Sequence, residues 1–377
     1  MFRLKQYLKM LLQNVLLPVV YATFRHRPVR KGSVIFAYAH HEKIPFSMRR
    51  MYEELSRLEE KGQCEIELFI EDFNQMSFGS MVRYLLRFMK RYATAEYVFI
   101  CDYFLPAASC RKRPETKLVQ LWHSCGLMKK IAFDAGEDIP KNYKGNMFGN
   151  YSLLTMSAEI CVPVHARALR IPEERICATG ISRTDYYFDE AWNRRCKELF
   201  RQIHPEAAGK KVAVWAPTFR GNAAMPYLEG LGEIRKAAEE LKEEWYFVIK
   251  AHPHVDAHGR VSTSEIPTEE LFPAADLLIT DYSSVLFDYL LYHKPVVMFA
   301  PDLEKYRKNR GFYLEYENVP FPQTETLEAL KQAIRNCEQW QAEKEQEIKE
   351  FCDLYTGACD GASTKRILKR IGIRREL

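Results

Sequence analysis

Four stretches of this chain place polar side chains directly behind an apolar run, where a helix pattern is about to begin: QLWHSCGLMKK (120–130), WAPTFRGN (215–222), KAHPHVD (250–256) and DYSSVLFDY (281–289). In the first, His123 follows a run of strand character. An imidazole there can take a proton from an attacking hydroxyl near neutral pH, or it can sit as an ordinary hydrogen-bonded loop histidine. Ser124, Cys125 and Gly126 form a tight turn before Lys129 and Lys130, and Cys125 reads better as a small packing residue than as a nucleophile. In the second stretch, Pro217 fixes a turn, Thr218 offers a hydroxyl, and Arg220 offers a planar donor suited to phosphate unless it is a plain surface arginine. In the third, Lys250 and His252 stand two residues apart on an extended path set by Pro253, which suits stabilising charge on a phosphate. His252 and His254 have the spacing of a metal pair, but no third ligand stands at a known spacing, so no metal site is assigned.

The last stretch raises a choice between capping and binding. Helix N-termini attract anions because their first N–H groups lack partners and the helix dipole is positive there. Ser283 and Ser284 either cap the helix that follows or add hydroxyl donors to an anion site. Asp288, one turn after Ser284, shares its helix face and could accept from a polyol hydroxyl.

These loops need strands to position them. Continuous apolar runs predict strands at 34–37, 66–70, 97–101, 118–122, 153–156, 212–216, 246–250, 277–280 and 296–299, the pattern of parallel strands covered on both faces. Helical periodicity predicts helices at 47–61, 79–92, 189–203, 231–242, 284–292 and 326–351. Alternation of this kind means α/β, with doubly wound sheets and ligands at the carboxyl ends of the strands, in a central cleft between two facing domains. The expected division is a segment 1–30, a first domain 31–205, a second domain 206–350 and a basic C-terminal helix 351–377 that crosses back. The polar linker 206–211 marks the boundary.

The chain has 377 residues, 47% hydrophobic content and 13% aromatic content, enough for two real cores and too apolar for disorder. Its net charge of +5 is unevenly spread: 1–31 carries seven Lys/Arg and no acid, 365–377 carries six Lys/Arg against Glu376, and the body between is acidic. The ten cysteines form no CxxC pair and no Cys/His cluster at metal spacing, which argues against structural zinc and a disulfide framework. In the first 25 residues, Leu4, Leu8, Leu11, Leu12, Val15, Leu16 and Val19 recur at helical spacing with Lys5 and Lys9 between them. That pattern suits a basic amphipathic helix on an anionic membrane surface. A signal peptide and an ordinary packed helix are the other readings, and no apolar run is long enough to span a bilayer. Basic ends without nucleic-acid motifs make nucleic acid an unsuitable partner.

The ordered set QLWHSCGLMKK, GISRTDYYFD (180–189), WAPTFRG, KAHPH and ITDYSSVLFDYLLYHKPVVMFAPDLEKYRKNRGFY (279–313) resembles the CDP-glycerol glycerophosphotransferase family, the teichoic-acid primases and polymerases of bacterial cell walls. The resemblance implies a GT-B fold with two Rossmann-like domains and the nucleotide on the second. It implies attack of an acceptor hydroxyl on the β-phosphorus of CDP-glycerol, or another CDP-polyol, with release of CMP. It makes His123 the base and lets Lys250 and His252 offset charge on the leaving CMP. It adds Arg183 to Pro217, Thr218, Ser283, Ser284 and Asp288 around the donor. With Ser124, Cys125, Gly126 and Arg220, these complete the expected substrate-binding set. The implied acceptor is an undecaprenyl-linked precursor at the cytoplasmic face of the membrane. No DxD pair suggests a metal, though a diphosphate donor can recruit Mg2+ without one. Two alternatives remain open at this point, a GT-B glycosyltransferase using a nucleotide sugar and a non-catalytic polyanion-binding protein.

Overall fold

The computed structural model describes residues 11–136, 138–139, 146–222, 225–256, 258–259 and 261–373. The chain divides into two units. The first comprises 1–123, 140–185 and 362–377, and the second comprises 124–139 and 186–361.

In the first unit, β1 (Arg30–Tyr38), β2 (Glu65–Ile70), β3 (Ala95–Ile100), β4 (Lys117–Gln120), β5 (Leu153–Thr155) and β6 (Ile176–Cys177) form one sheet. Its order is β2-β1-β3-β4-β5-β6 and every pairing is parallel. The inner strands are apolar along their length because helices cover both faces. Val34, Phe36, Val98 and Phe99 are buried, and the Phe36 and Phe99 rings stack at 5.1 Å.

The second unit repeats the arrangement. It contains β7 (Lys211–Trp215), a hairpin of β8 (Arg220–Asn222) and β9 (Met225–Tyr227), β10 (Trp245–Ile249), β11 (Leu277–Thr280), β12 (Val296–Phe299) and β13 (Gln323–Thr324). The main sheet runs β10-β7-β11-β12-β13, again all parallel. Trp215, Ile234, Phe247, Ile279, Val297 and Leu330 belong to its core. In both sheets the chain winds one way from the first strand and then the other. The switch points therefore lie between β1 and β3 and between β7 and β11, where open α/β sheets bind ligands beyond the carboxyl ends of the strands.

Two expectations about domain limits are corrected. The boundary falls at Asp185/Tyr186 and not at Pro205/Glu206. The helix Glu190–Ile203 belongs to the second unit because its apolar face meets aromatics there, with Phe200 6.4 Å from Tyr246 and Trp192 5.9 Å from Tyr187. Only Ala362–Leu377 returns to the first unit, since the helix Glu345–Thr356 stays with the second through Phe351, stacked 6.0 Å from Phe287. The short excursion 124–139 joins the second unit by backbone pairing: Lys130 N–H donates to Gly311 O and Tyr313 N–H to Met128 O.

At the N-terminus, a π-turn segment Leu12–Leu16 leads into the helix Leu17–Phe24. Leu12, Leu17 and Tyr21 are buried, whereas Leu11, Val15 and Val19 are exposed. The expected helical positions Leu4 and Leu8 lie outside the described residues. Among the described residues, no helix is long and apolar enough to cross a membrane.

Candidate active site

In the first unit the site is built around one sharp turn. After β4, Trp122 adopts φ +58°, a left-handed conformation that side-chain-bearing residues rarely hold without support. Buried Gln120 supplies that support. Its Oε1 accepts from Trp122 N–H at 3.1 Å, while its Nε2 donates to Asp102 O and to Tyr151 Oη. The Trp122 indole lies edge-on to His165 at 5.4 Å. Burial pushes His165 down to about 4, and its Nδ1 bonds Cys161 O at 2.8 Å, so a neutral imidazole backs the turn.

The turn throws His123 outward, where it is exposed, with its ring 4.9 Å from the Trp122 ring. His123 Nδ1 lies 3.0 Å from Cys101 O, at the end of β3. A carbonyl only accepts, so Nδ1 carries the proton and Nε2 of the neutral ring presents its lone pair. That tautomer is the one a general base needs. Arg183 is buried in the same unit, and its charge is felt at Cys101. The β1/β3 switch point adds a pair that sequence reasoning missed, His40 Nε2 3.9 Å from Asp102 Oδ2. The His40-His41 step directly behind the run 34–37 was the available signal.

In the second unit, the remaining residues stand at the ends of β7, β10 and β11. Of Ser124, Cys125 and Gly126, the last two pack here against the helix Val285–Leu290, and Ser124 is partly exposed. Gly126 has φ +64°, and a Cβ on it would lie 2.4 Å from the Phe287 ring, so the close approach requires glycine. Cys125 is buried with Sγ 3.8 Å from Asp288 Oδ1. Tyr187 Oη donates to the same carboxylate oxygen at 3.2 Å. Asp288 is only 2% exposed, and its Oδ1 is held by protein groups.

Ser283 and Ser284 are partly exposed. Ser283 Oγ accepts from Val285 N–H at 3.4 Å, a weak cap, and the Ser284 side chain makes no capping bond. The capping alternative thus occupies at most one of the two hydroxyls. Lys250 Nζ donates to Ser264 O at 3.0 Å, and exposed His252 lies with its ring 4.6 Å from Phe219. Asp256 ties this loop down by accepting from Val261 N–H, Ser262 N–H and Ser262 Oγ. Of the two histidines at metal-pair spacing, to which no site was assigned, the His254 side chain lies outside the described residues.

Arg220 has a different task from the one expected. It is buried, with Nε and Nη2 donating to the two oxygens of Asp302 at 2.8 Å each and Nη2 also to Asp281 at 2.9 Å. Nη1 donates to Thr218 O. Its guanidinium lies 4.9 Å from the Tyr282 ring and 5.0 Å from the Tyr306 ring, which stack on each other. Burial alone would favour the neutral guanidine, but Asp302 and Asp281 outweigh it and raise the group further. Burial likewise works against a charged Asp302, and Arg220 outweighs it, holding the carboxyl below its usual range. Arg220 is therefore the centre of an ion cluster under the β7 and β11 loops. It is not a free phosphate donor.

Above that cluster opens a cavity of about 530 Å3. Its lining includes Thr218, whose Oγ1 is buried without a partner among the described residues while its N–H donates to Asp281 Oδ1. Lys129 also lines it, and burial, aided by Arg310 and Arg220, pushes this lysine down to about 8 against the pull of Asp281 and Asp138. Lys129 was named from the sequence without a role, and Lys305, Asp281 and Asp302 were not assigned to the site there. Among the described residues, no three His, Cys, Asp or Glu side chains gather as a metal site.

The family model of CDP-glycerol:poly(glycerophosphate) glycerophosphotransferases matches residues 19–372. The chain belongs to this family. Among curated relatives of this glycerophosphotransferase family, it is 30% identical over 379 residues to a teichoic acid poly(ribitol-phosphate) polymerase of Bacillus spizizenii. That alignment covers 96% of this chain and 59% of the relative, so the chain spans little more than half of that protein. A teichoic acid ribitol-phosphate primase of the same organism is 29% identical, with 90% of each chain covered. Among solved structures, the wall teichoic acid polymerase TagF superposes with TM-score 0.76 at 20% identity, covering 98% of this chain and 96% of the other. The fold is thus GT-B, two Rossmann-like domains, as the family resemblance implied.

Proposed function

We propose that this protein transfers a polyol phosphate from a CDP-polyol to a hydroxyl of a cell-wall polymer precursor and releases CMP. The observation that carries the reading is the His123 tautomer. With Nδ1–H committed to Cys101 O, Nε2 is poised to take the proton of an acceptor hydroxyl as that oxygen attacks phosphorus. Lys250, His252 and the Ser283 and Ser284 hydroxyls, around the β7/β11 switch point, suit the diphosphate, and protonated His252 can offset charge on the departing CMP. Family membership supports the reaction class. The names of the two curated relatives favour ribitol over glycerol as the polyol, and the acceptor is taken to be lipid-linked. The exposed Leu11, Val15 and Val19, with the basic residues near them, support seating on an anionic membrane surface.

The test is turnover by purified protein with a primed lipid acceptor. CMP release is expected with CDP-ribitol and more slowly with CDP-glycerol. Replacing His123→Ala should lower kcat about 10^2–10^4-fold while leaving CDP-polyol affinity within a few-fold. No CMP release from either donor, alongside turnover of a UDP-sugar, would turn the assignment to a glycosyltransferase.

A further inference from the structure

The cavity of about 530 Å3 shares Thr218 with the residues assigned to the donor but is otherwise walled mainly by others: Lys129, Lys305, Asn309 and Arg310 line it, while Lys250, His252, Ser283 and Ser284 do not. Its charges can be followed one by one. Arg220 is satisfied by Asp281 and Asp302, and Arg310 donates to both oxygens of Asp138 at 2.9 Å. Lys129 and Lys305 have no carboxylate partner among the described residues. The acid on the lining, Asp302, is spent on Arg220, so two cations reach the cavity without a direct ion pair among the described residues. The backbone of Thr218 is used by Asp281 and Arg220, which leaves its buried Oγ1 as an unused donor beside them.

Among the described residues, two lysines without a carboxylate partner and a hydroxyl without any partner thus stand beside fixed guanidinium groups. A desolvated cation such as Lys129 is costly unless an anion joins it, the exposed Lys305 adds charge at the rim, and a phosphoryl group supplies several acceptor oxygens at once. We propose that this cavity is a second phosphate-binding subsite, in which Lys129, Lys305 and the Thr218 hydroxyl hold a phosphate ester. The inference deepens the polyol-phosphate transfer reading and rests on it for the identity of the ester, because CDP donors and phosphodiester acceptors both carry this chemistry. The depressed Lys129 accords with it, since burial beside Arg310 and Arg220 penalises a charge that a bound anion would restore.

The test is competitive acetylation of the full chain at pH 8, read at Lys129 by peptide mapping, with glycerol 3-phosphate, CDP or sodium chloride at matched ionic strength as probes. Glycerol 3-phosphate or CDP is expected to slow Lys129 modification several-fold. In Lys305→Met or Thr218→Val, about tenfold more of the probe should be needed for the same protection. Protection by glycerol 3-phosphate alone assigns the subsite to the acceptor, and protection by CDP alone assigns it to the donor. Equal protection by sodium chloride, or protection unchanged in Lys305→Met, overturns the proposal. Lys305 is exposed, so that variant should keep its fold, which its melting temperature checks. No arm needs turnover. Failure here leaves the transfer reading standing, whereas protection in a chain inert toward every CDP-polyol would sink that reading alone.

Discussion

At the scale of single residues, Arg220 and His123 separate what a side chain can do from what its neighbours let it do. Both stand within five residues of the end of a parallel strand, His123 after β4 and Arg220 after β7, and both types suit phosphoryl chemistry. The structure leaves His123 Nε2 available and binds Arg220 to the buried Asp281 and the partly buried Asp302. Removing one partner of a buried ion pair strands the others without solvent, which costs about 3–5 kcal/mol. Arg220→Ala should therefore lower unfolding stability by about that amount, seen as an earlier denaturant midpoint. A variant with an unchanged midpoint and only weaker CDP binding would return Arg220 to the ligand. The types and positions of these residues were legible in the sequence. Their partners were not, because Cys101 meets His123 and Asp302 meets Arg220 only through sheet topology.

Among elements, the 124–126 turn shows how tightly a loop and a helix can set each other. With φ +64° and no room beside Phe287, Gly126→Ala carries both a conformational and a steric penalty. A loss of about 2–4 kcal/mol is expected, measured by chemical denaturation, and Phe287→Leu in the same chain should recover part of it. Full stability in Gly126→Ala would mean the turn and helix have slack the structure does not show. The nine expected strands are all present because doubly covered parallel strands are apolar throughout. The two-residue strands β6 and β13 are too short to carry a pattern. The helix Cys161–Leu169 was hidden by Pro163, which reads as a breaker but sits in the first turn, where its missing N–H costs nothing. The single helix expected over 326–351 is three, Leu327–Arg335, Cys337–Glu343 and Glu345–Thr356, because Asn336 and Lys344 leave helical geometry.

For the whole molecule, two doubly wound sheets were legible from alternation alone and a C-terminal return was expected over 351–377, but the excursion of 124–139 into the second unit was not foreseen. Periodicity reports what an element buries and says nothing of which neighbour does the burying. The N-terminal helix illustrates the difference. Its inner face is spent on the first unit, where Tyr21 Oη accepts from Arg113 N–H at 2.9 Å, leaving Val15 and Val19 outward. Val15→Glu with Val19→Glu should keep the fold and weaken sedimentation with anionic vesicles at least about tenfold, from the lost apolar insertion. Unchanged partitioning would move the attachment elsewhere on the chain.

The return of 362–377 to the first unit bears on how the protein is born. The helix Ser363–Ile371 buries Ile367, Leu368 and Ile371, and the Asp185 carboxylate accepts from the N–H groups of Ser363 and Thr364 at its start. A ribosome that has finished Asp185 must still make all of 186–361 before this helix exists. At about 5–20 residues per second, that delay is on the order of ten to tens of seconds. Throughout it, the nascent first unit carries an unfilled apolar seat, which a chaperone can shield. The unit that leaves the ribosome first is the last to be finished.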